Sequence, residues 1–139
     1  MEKYETFSTT ADVGIRIRGN GCEGLFQSAV KGLYLLYFDK QCKDTTNRAH
    51  HIHPFEFHGD SCENVLVNLL SEIIYLLQVE NKITIGITVE QSNETYIKAD
   101  LLTIPCDLEP ELEIKSVTYH NLRLKDKNGI KSAEVIFDI

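Results

Sequence analysis

The side chains with the most chemistry to offer in this sequence are Asp138, Lys115, Asp12, a run of histidines and four cysteines. Asp138 stands in AEVIFDI, next to Ile139, the last residue of the sequence. A carboxylate side chain beside a terminal carboxylate sets two oxygen-donor groups close together, which is costly unless water, a lysine or a metal cation offsets the charge. That pairing calls for a cationic partner. Lys115 lies in EIKSVTYH, where alternation would put Glu113, Lys115, Val117 and Tyr119 on one face and Ile114, Ser116, Thr118 and His120 on the other. The plainer role for such a lysine is a surface residue whose stem covers apolar surface while its ammonium stays in water. Asp12, in TTADVG, has a plain role too, as a turn residue whose carboxylate accepts from nearby backbone amides.

HHIHPFEFH gathers His50, His51, His53 and His58, and imidazole is a common metal ligand. In a strand His51 and His53 would share a face, but Pro54 removes a ladder donor, as an edge strand tolerates. A solvated edge or loop is the expected role for this cluster. Cys22, Cys42, Cys62 and Cys106 lack CxxC spacing, which argues against a zinc ribbon, and a chain long enough to form a core has little need of a disulfide scaffold. They read as buried thiols. Asn93 to Thr95 reads NET, a glycosylation pattern with no secretory signal to bring it into use.

The elements that must position these residues begin with a repeat. GIRIRGNGCEGLFQSAVKGLYLLY, from Gly14, aligns without a gap on PFEFHGDSCENVLVNLLSEIIYLL, from Pro54, at an offset of 40 residues. Gly19 falls on Gly59, Cys22 on Cys62, Glu23 on Glu63 and Leu36 on Leu76. Each unit opens with period-two alternation, turns at glycine, and continues with apolar residues at helical spacing. Both units are therefore expected to be strand, turn, helix. Asn20 and Asp60 stand in N-cap position, three residues before a glutamate that the helix dipole favours in the first turn. Glu23 and Glu63 thus read as stabilisers of helix starts.

The second half alternates at period two in KITIGITVEQ, ETYIKADLLTI, ELEIKSVTYHNLRLK and KSAEVIFDI, with Asn128-Gly129 as a hairpin signal between the last two. Four strands are expected there. The pattern predicts a single α+β domain over residues 1–139: an antiparallel or mixed sheet packed with two amphipathic helices, with an internal strand-turn-helix duplication as pseudo-symmetry.

Composition narrows the function. The 139 residues are 42% apolar and 25% charged, which suits one folded domain. A formal charge of -7 disfavours a protein that grips nucleic acid by neutralising many phosphates, and an acidic surface suits a basic protein partner instead. The start is too polar for a signal peptide, and no apolar run approaches the roughly 20 residues of a spanning helix. A soluble intracellular protein is expected, without a membrane partner.

Four strings taken in order, TTADVG (9–14), VLVNLLSEIIYLLQVE (65–80), EIKSVTYH (113–120) and the terminal AEVIFDI, resemble the archease family over essentially the whole chain. Archease is the protein cofactor of the RtcB-type ligase that joins tRNA exon halves in splicing. The resemblance implies a small α+β domain without catalysis of its own, whose conserved Asp, Lys and Asp gather at one tip. Matched by motif, these are Asp12, Lys115 and Asp138. The carboxylates of Asp12, Asp138 and Ile139 would then hold a divalent cation (calcium, magnesium or manganese), with Lys115 balancing their charge. The resemblance further implies that the chain speeds manganese-dependent transfer of GMP from GTP to the ligase's histidine and allows many turnovers. It would meet tRNA only through the ligase, in the cytoplasm, with the nucleus as a second compartment.

The chain departs from the family pattern at Thr9, where a histidine is usual, at IPCDLEPEL, which is short and lacks a histidine, and at Leu69, where an aromatic is common. Two other readings compete. One is a stand-alone metal-dependent hydrolase built on Asp12, Asp138 and Lys115, which would lack a nucleophile with an adjacent base. The other is a chaperone-like interaction module that binds through apolar helix surface.

Overall fold

The alternation VGIRIRGN sends Val13, Ile15 and Ile17 inward and leaves Arg16 and Arg18 exposed, and this pattern produces a strand with one buried face. In the computed structural model, which describes residues 2–9, 12–40, 50–107 and 109–139, it is β2 of eight strands. Thr10 and Ala11 of TTADVG, Cys42, and Leu108 of IPCDLEPEL lie outside the described residues. The chain order is β1 (Lys3–Ser8), β2 (Val13–Asn20), α1 (Gly21–Phe38), β3 (His51–His58), α2 (Cys62–Glu80), β4 (Lys82–Asn93), β5 (Tyr96–Pro105), β6 (Ser116–Val117), β7 (Lys125–Lys127) and β8 (Ile130–Asp138).

The strands form two sheets rather than one. The first runs β1-β2-β8-β6, with β7 also paired to β8; the second runs β3-β5-β4. Every pairing in both is antiparallel. The expected duplication is present as β2-α1 and β3-α2, and its two halves feed different sheets. Helix α1 touches both sheets and α2, so its apolar residues are buried nearly all round, Leu25, Phe26, Ala29 and Leu33 completely. They meet Ile15, Val135 and Phe137 from one sheet and Ile97, Leu101 and Ile104 from the other in a continuous core.

The two units turn their corners in the same way. At Gly19 an added Cβ would sit 2.1 Å from the carbonyl carbon of Gly24 and 2.4 Å from the nitrogen of Leu25, so only glycine lets the strand end pass this close to the helix start. At the equivalent Gly59 the nearest atom would be Asn64 Oδ1, at 2.7 Å. The caps differ from expectation. Asn20 is the N-cap of α1 but makes no side-chain cap bond, and the N-cap of α2 is Ser61, one residue after Asp60, with its hydroxyl accepting from the Asn64 N–H.

Two further expectations are corrected. The stretch 111–125, read as one strand, contributes only β6 and the first residue of β7: Ile114 and Leu122 are buried, but between them Lys115 and Ser116, and then Tyr119, His120 and Asn121, are exposed in succession, so the alternation is lost. The N-terminal KYETFS, not singled out as a strand, pairs with β2 along its whole length. The hairpin at Asn128-Gly129 forms as expected, with φ of 56° and 84°. Helix α2 is, by length and composition, apolar enough to cross a membrane, contrary to the expectation that no run approached that length, and half of its most apolar stretch is buried within the protein.

Candidate functional site

Register, rather than sequence proximity, assembles the tip. Val13 of β2 pairs with Phe137 of β8, and both side chains enter the core. Asp12 immediately precedes Val13 and Asp138 immediately follows Phe137, so the two aspartates flank that pair at one end of the ladder. On the other side of β8, Ser116 pairs with Asp138, and the Lys115 N–H donates to the Asp138 carbonyl at 2.8 Å. Asp12, Asp138 and Lys115 therefore lie at the same end of three neighbouring strands. Ile139 follows there, half exposed.

Thr9, where a histidine was expected, is bonded to Asp12 ahead of β2. The Thr9 hydroxyl accepts from the Asp12 N–H at 3.1 Å, and the Thr9 N–H donates to the Asp12 carbonyl at 2.8 Å. Thr9 thus fixes the backbone that presents Asp12. Among the described residues none of Asp12, Lys115 and Asp138 forms an ion pair; Lys115 and Asp138 are exposed and Asp12 is partly exposed. Carboxylates of this kind are the oxygen donors that hard divalent cations prefer. Lys115 also stands at the rim of a cavity of about 690 Å³ lined by Tyr37, Leu77, Gln78, Leu112 and Ile114. The Tyr37 hydroxyl is buried there without a hydrogen-bond partner among the described residues, and burial raises its pKa.

A larger groove, about 790 Å³, lies further along the outer face of the same sheet. Lys3, Arg16, Arg18, Arg123 and Lys125 line it against Glu2, Glu5 and Glu134, a local surplus of positive charge on an acidic chain. Arg16 is clamped between Glu134 at 2.9 Å and Glu5 at 3.4 Å, with its guanidinium 4.4 Å above the Phe7 ring. The alternating arginines of GIRIRGN were a visible signal for this surface; its partners on β1, β7 and β8 were not.

The histidine stretch is an edge strand, β3, as its proline required. His53 bonds Glu72 of α2 at 2.6 Å, and His58 stacks on Tyr96. Of the cysteines, Cys62 is buried as expected, whereas Cys22 and Cys106 are partly exposed. Burial pushes the Cys62 thiol up to about 12. The one three-residue group of His, Cys, Asp and Glu side chains close enough to share a metal, among the described residues, is Cys22, Cys62 and Glu94, at the end of the sheet away from Asp12.

Residues 4–139 match the Archease protein family (MTH1598/TM1083). The chain belongs to the archease family. It is 31% identical to the protein archease of Methanosarcina barkeri, over 99% of this chain and 97% of that one, and 29% identical to the protein archease of Thermoplasma volcanium, over 98% of both. Both relatives are named as proteins, with no activity stated in the name. The fold matches the solution structure of Methanobacterium thermoautotrophicum protein 1598 with a TM-score of 0.70 at 20% identity, covering 98% of both chains. It also matches a Thermotoga maritima archease, described as a possible chaperone, with a TM-score of 0.62 at 16% identity, covering 97% of this chain and 96% of that one.

Proposed function

We propose that this archease acts in trans on an RtcB-type RNA ligase of tRNA splicing, promoting transfer of GMP to the ligase and its repeated turnover. The observation that carries this reading is the convergence of Asp12, Lys115 and Asp138, from three distant motifs, on adjacent strand ends. Asp12 and Asp138, with the carboxylate of Ile139, would hold a divalent cation, and that cation when bound supplies charge neutralisation for the ligase's nucleotide phosphates. The chain's own contribution is placement. The hydroxyl of Thr9 orients Asp12, the β2-β8 ladder fixes its spacing from Asp138, and the Lys115 ammonium is free to meet a phosphate oxygen. Exposure suits this role, because the groups must reach into another protein's site.

The chain would meet tRNA only through the ligase, in the cytoplasm and also in the nucleus, without a membrane. The test is to add purified chain to its cognate ligase and follow GMP transfer and exon joining. Faster transfer and more than one turnover per ligase are expected; no change in either refutes the reading. A chaperone role is the second reading, favoured by the description of the Thermotoga maritima neighbour and by exposed Ile52, Tyr75 and Val79. Suppression of aggregation that survives substitution of all three tip residues would support it.

A further inference from the structure

The duplication that builds the fold also brings its two equivalent cysteines together. Cys22 lies in the first turn of α1 and Cys62 at the start of α2, both with free thiols. Glu94 joins them from the β4-β5 turn, and its carboxylate and the two sulfurs all lie within 4.8 Å of one another. That turn is tied down: the Thr95 N–H donates to Asn93 Oδ1 at 2.9 Å, and the Gly59 N–H donates to the Thr95 carbonyl at 2.7 Å. Lys131, at 5% exposure, donates to Glu94 at 2.5 Å and to Asp126 at 2.9 Å.

We propose that Cys22, Cys62 and Glu94 form a metal site for a thiolate-binding divalent cation of the zinc type. Two thiolates and the carboxylates of Glu94 and Asp126 then face a doubly charged cation and the Lys131 ammonium, which offset all but one of the negative charges. Lys131 then does what outer groups do in such sites, holding the ligating carboxylate by its other lone pairs. Ligands of a tetrahedral zinc lie about 3.7 Å apart when the bonds are about 2.3 Å, so no pair need close by more than about 1 Å, and Cys22 Sγ already stands 3.9 Å from Glu94 Oε1. The freedom for this exists, since Cys22 is partly exposed and the Glu94 side chain is 62% exposed. Binding releases the thiol protons to solvent and leaves a fourth position for water. Soft sulfur donors separate this site from the hard carboxylates of Asp12 and Asp138. The eight residues of β2 lie between them, about 25 Å of strand.

Cobalt(II) under reducing conditions is the probe. The full chain with one equivalent of Co²⁺ is expected to show a thiolate-to-cobalt charge-transfer band and the visible bands of a four-coordinate site, both erased by Zn²⁺. Cys22→Ser and Cys62→Ser should each remove about half or more of the charge-transfer intensity and weaken binding at least ~10-fold. Glu94→Gln should weaken binding while keeping the band. Asp138→Ala, and the joint replacement of Cys42 and Cys106 by serine, should leave it unchanged. Circular dichroism checks folding, and Cys22→Ser, at a partly exposed position, carries the test if Cys62→Ser does not fold. Absence of the band from the full chain, its survival in both single cysteine variants, or its loss with Asp138→Ala or the Cys42/Cys106 replacement would each overturn the proposal.

Discussion

Gly19→Ala is expected to cost far more than the same change at its repeat partner, Gly59. At Gly19 the new methyl would collide with backbone: the carbonyl carbon and oxygen of Gly24 at 2.1 and 2.3 Å and the nitrogen of Leu25 at 2.4 Å. Those atoms belong to the first turns of a helix buried between two sheets, so relief requires moving α1 itself. Overpacking of this kind costs about 3 kcal/mol or more. At Gly59 the contacts are side-chain atoms, Asn64 Oδ1 at 2.7 Å, Val65 Cγ2 at 2.9 Å and a Phe57 ring atom at 3.0 Å, and small rotations answer most of the strain. About 1 kcal/mol is the expected cost there. With an unfolding entropy of about 0.3 kcal/mol/K for a chain of this length, the melting temperature should fall by roughly 10 °C for Gly19→Ala and by roughly 3 °C for Gly59→Ala. Calorimetry on both variants decides the matter. Equal shifts, or a larger one at Gly59, would refute the argument that rigid backbone contact governs the corner.

Tyr37→Phe removes a buried hydroxyl without a partner and should be neutral or raise stability by up to about 1 kcal/mol in a urea melt. Gly129→Ala places a side chain at φ 84° in the β7-β8 turn and should cost about 1 kcal/mol, whereas Gly86→Ala meets only an ordinary contact at 3.5 Å and should not pass a few tenths. The Lys131 ammonium and the Gly129 N–H hold the Asp126 carboxyl below its usual range. Its contribution to stability is therefore present above the ordinary aspartate pKa and is lost as pH falls through the depressed folded value. Asp126→Asn should lower the melting temperature slightly at neutral pH and leave the acid end nearly unchanged, so that the acid limb of the melting temperature against pH curve flattens.

The duplication was legible because the apolar period changes from two to 3.6 at the same point in both units, and that change is a local property of the chain. The split into two sheets was not, since nothing local in GIRIRGN or PFEFH says that one strand pairs with β8 and the other with β5. β1 went unnoticed because its alternation is mostly polar, its outer residues Glu5 and Phe7 serving the Arg16 clamp rather than the core. The tip residues could be named by motif, yet their meeting depends on the Val13–Phe137 register, a relation between positions more than a hundred residues apart. The same limit hid Glu94 and Lys131 from Cys22 and Cys62. The alignment of the two cysteines was in the sequence, but the hairpins that complete their surroundings came from elsewhere in the chain.

The most direct measurement is GMP transfer to the cognate ligase at limiting manganese, with the wild-type chain, Asp12→Asn, Asp138→Asn and Lys115→Ala, each first shown to be folded. The asparagine variants keep shape and remove only charge. Stimulation by the wild type that each substitution lowers at least ~10-fold is the expected result, the Asp138 variant recovering partly as manganese rises. Stimulation left intact in all three variants would contradict the account, placing the activating surface elsewhere than the ends of β2, β6 and β8.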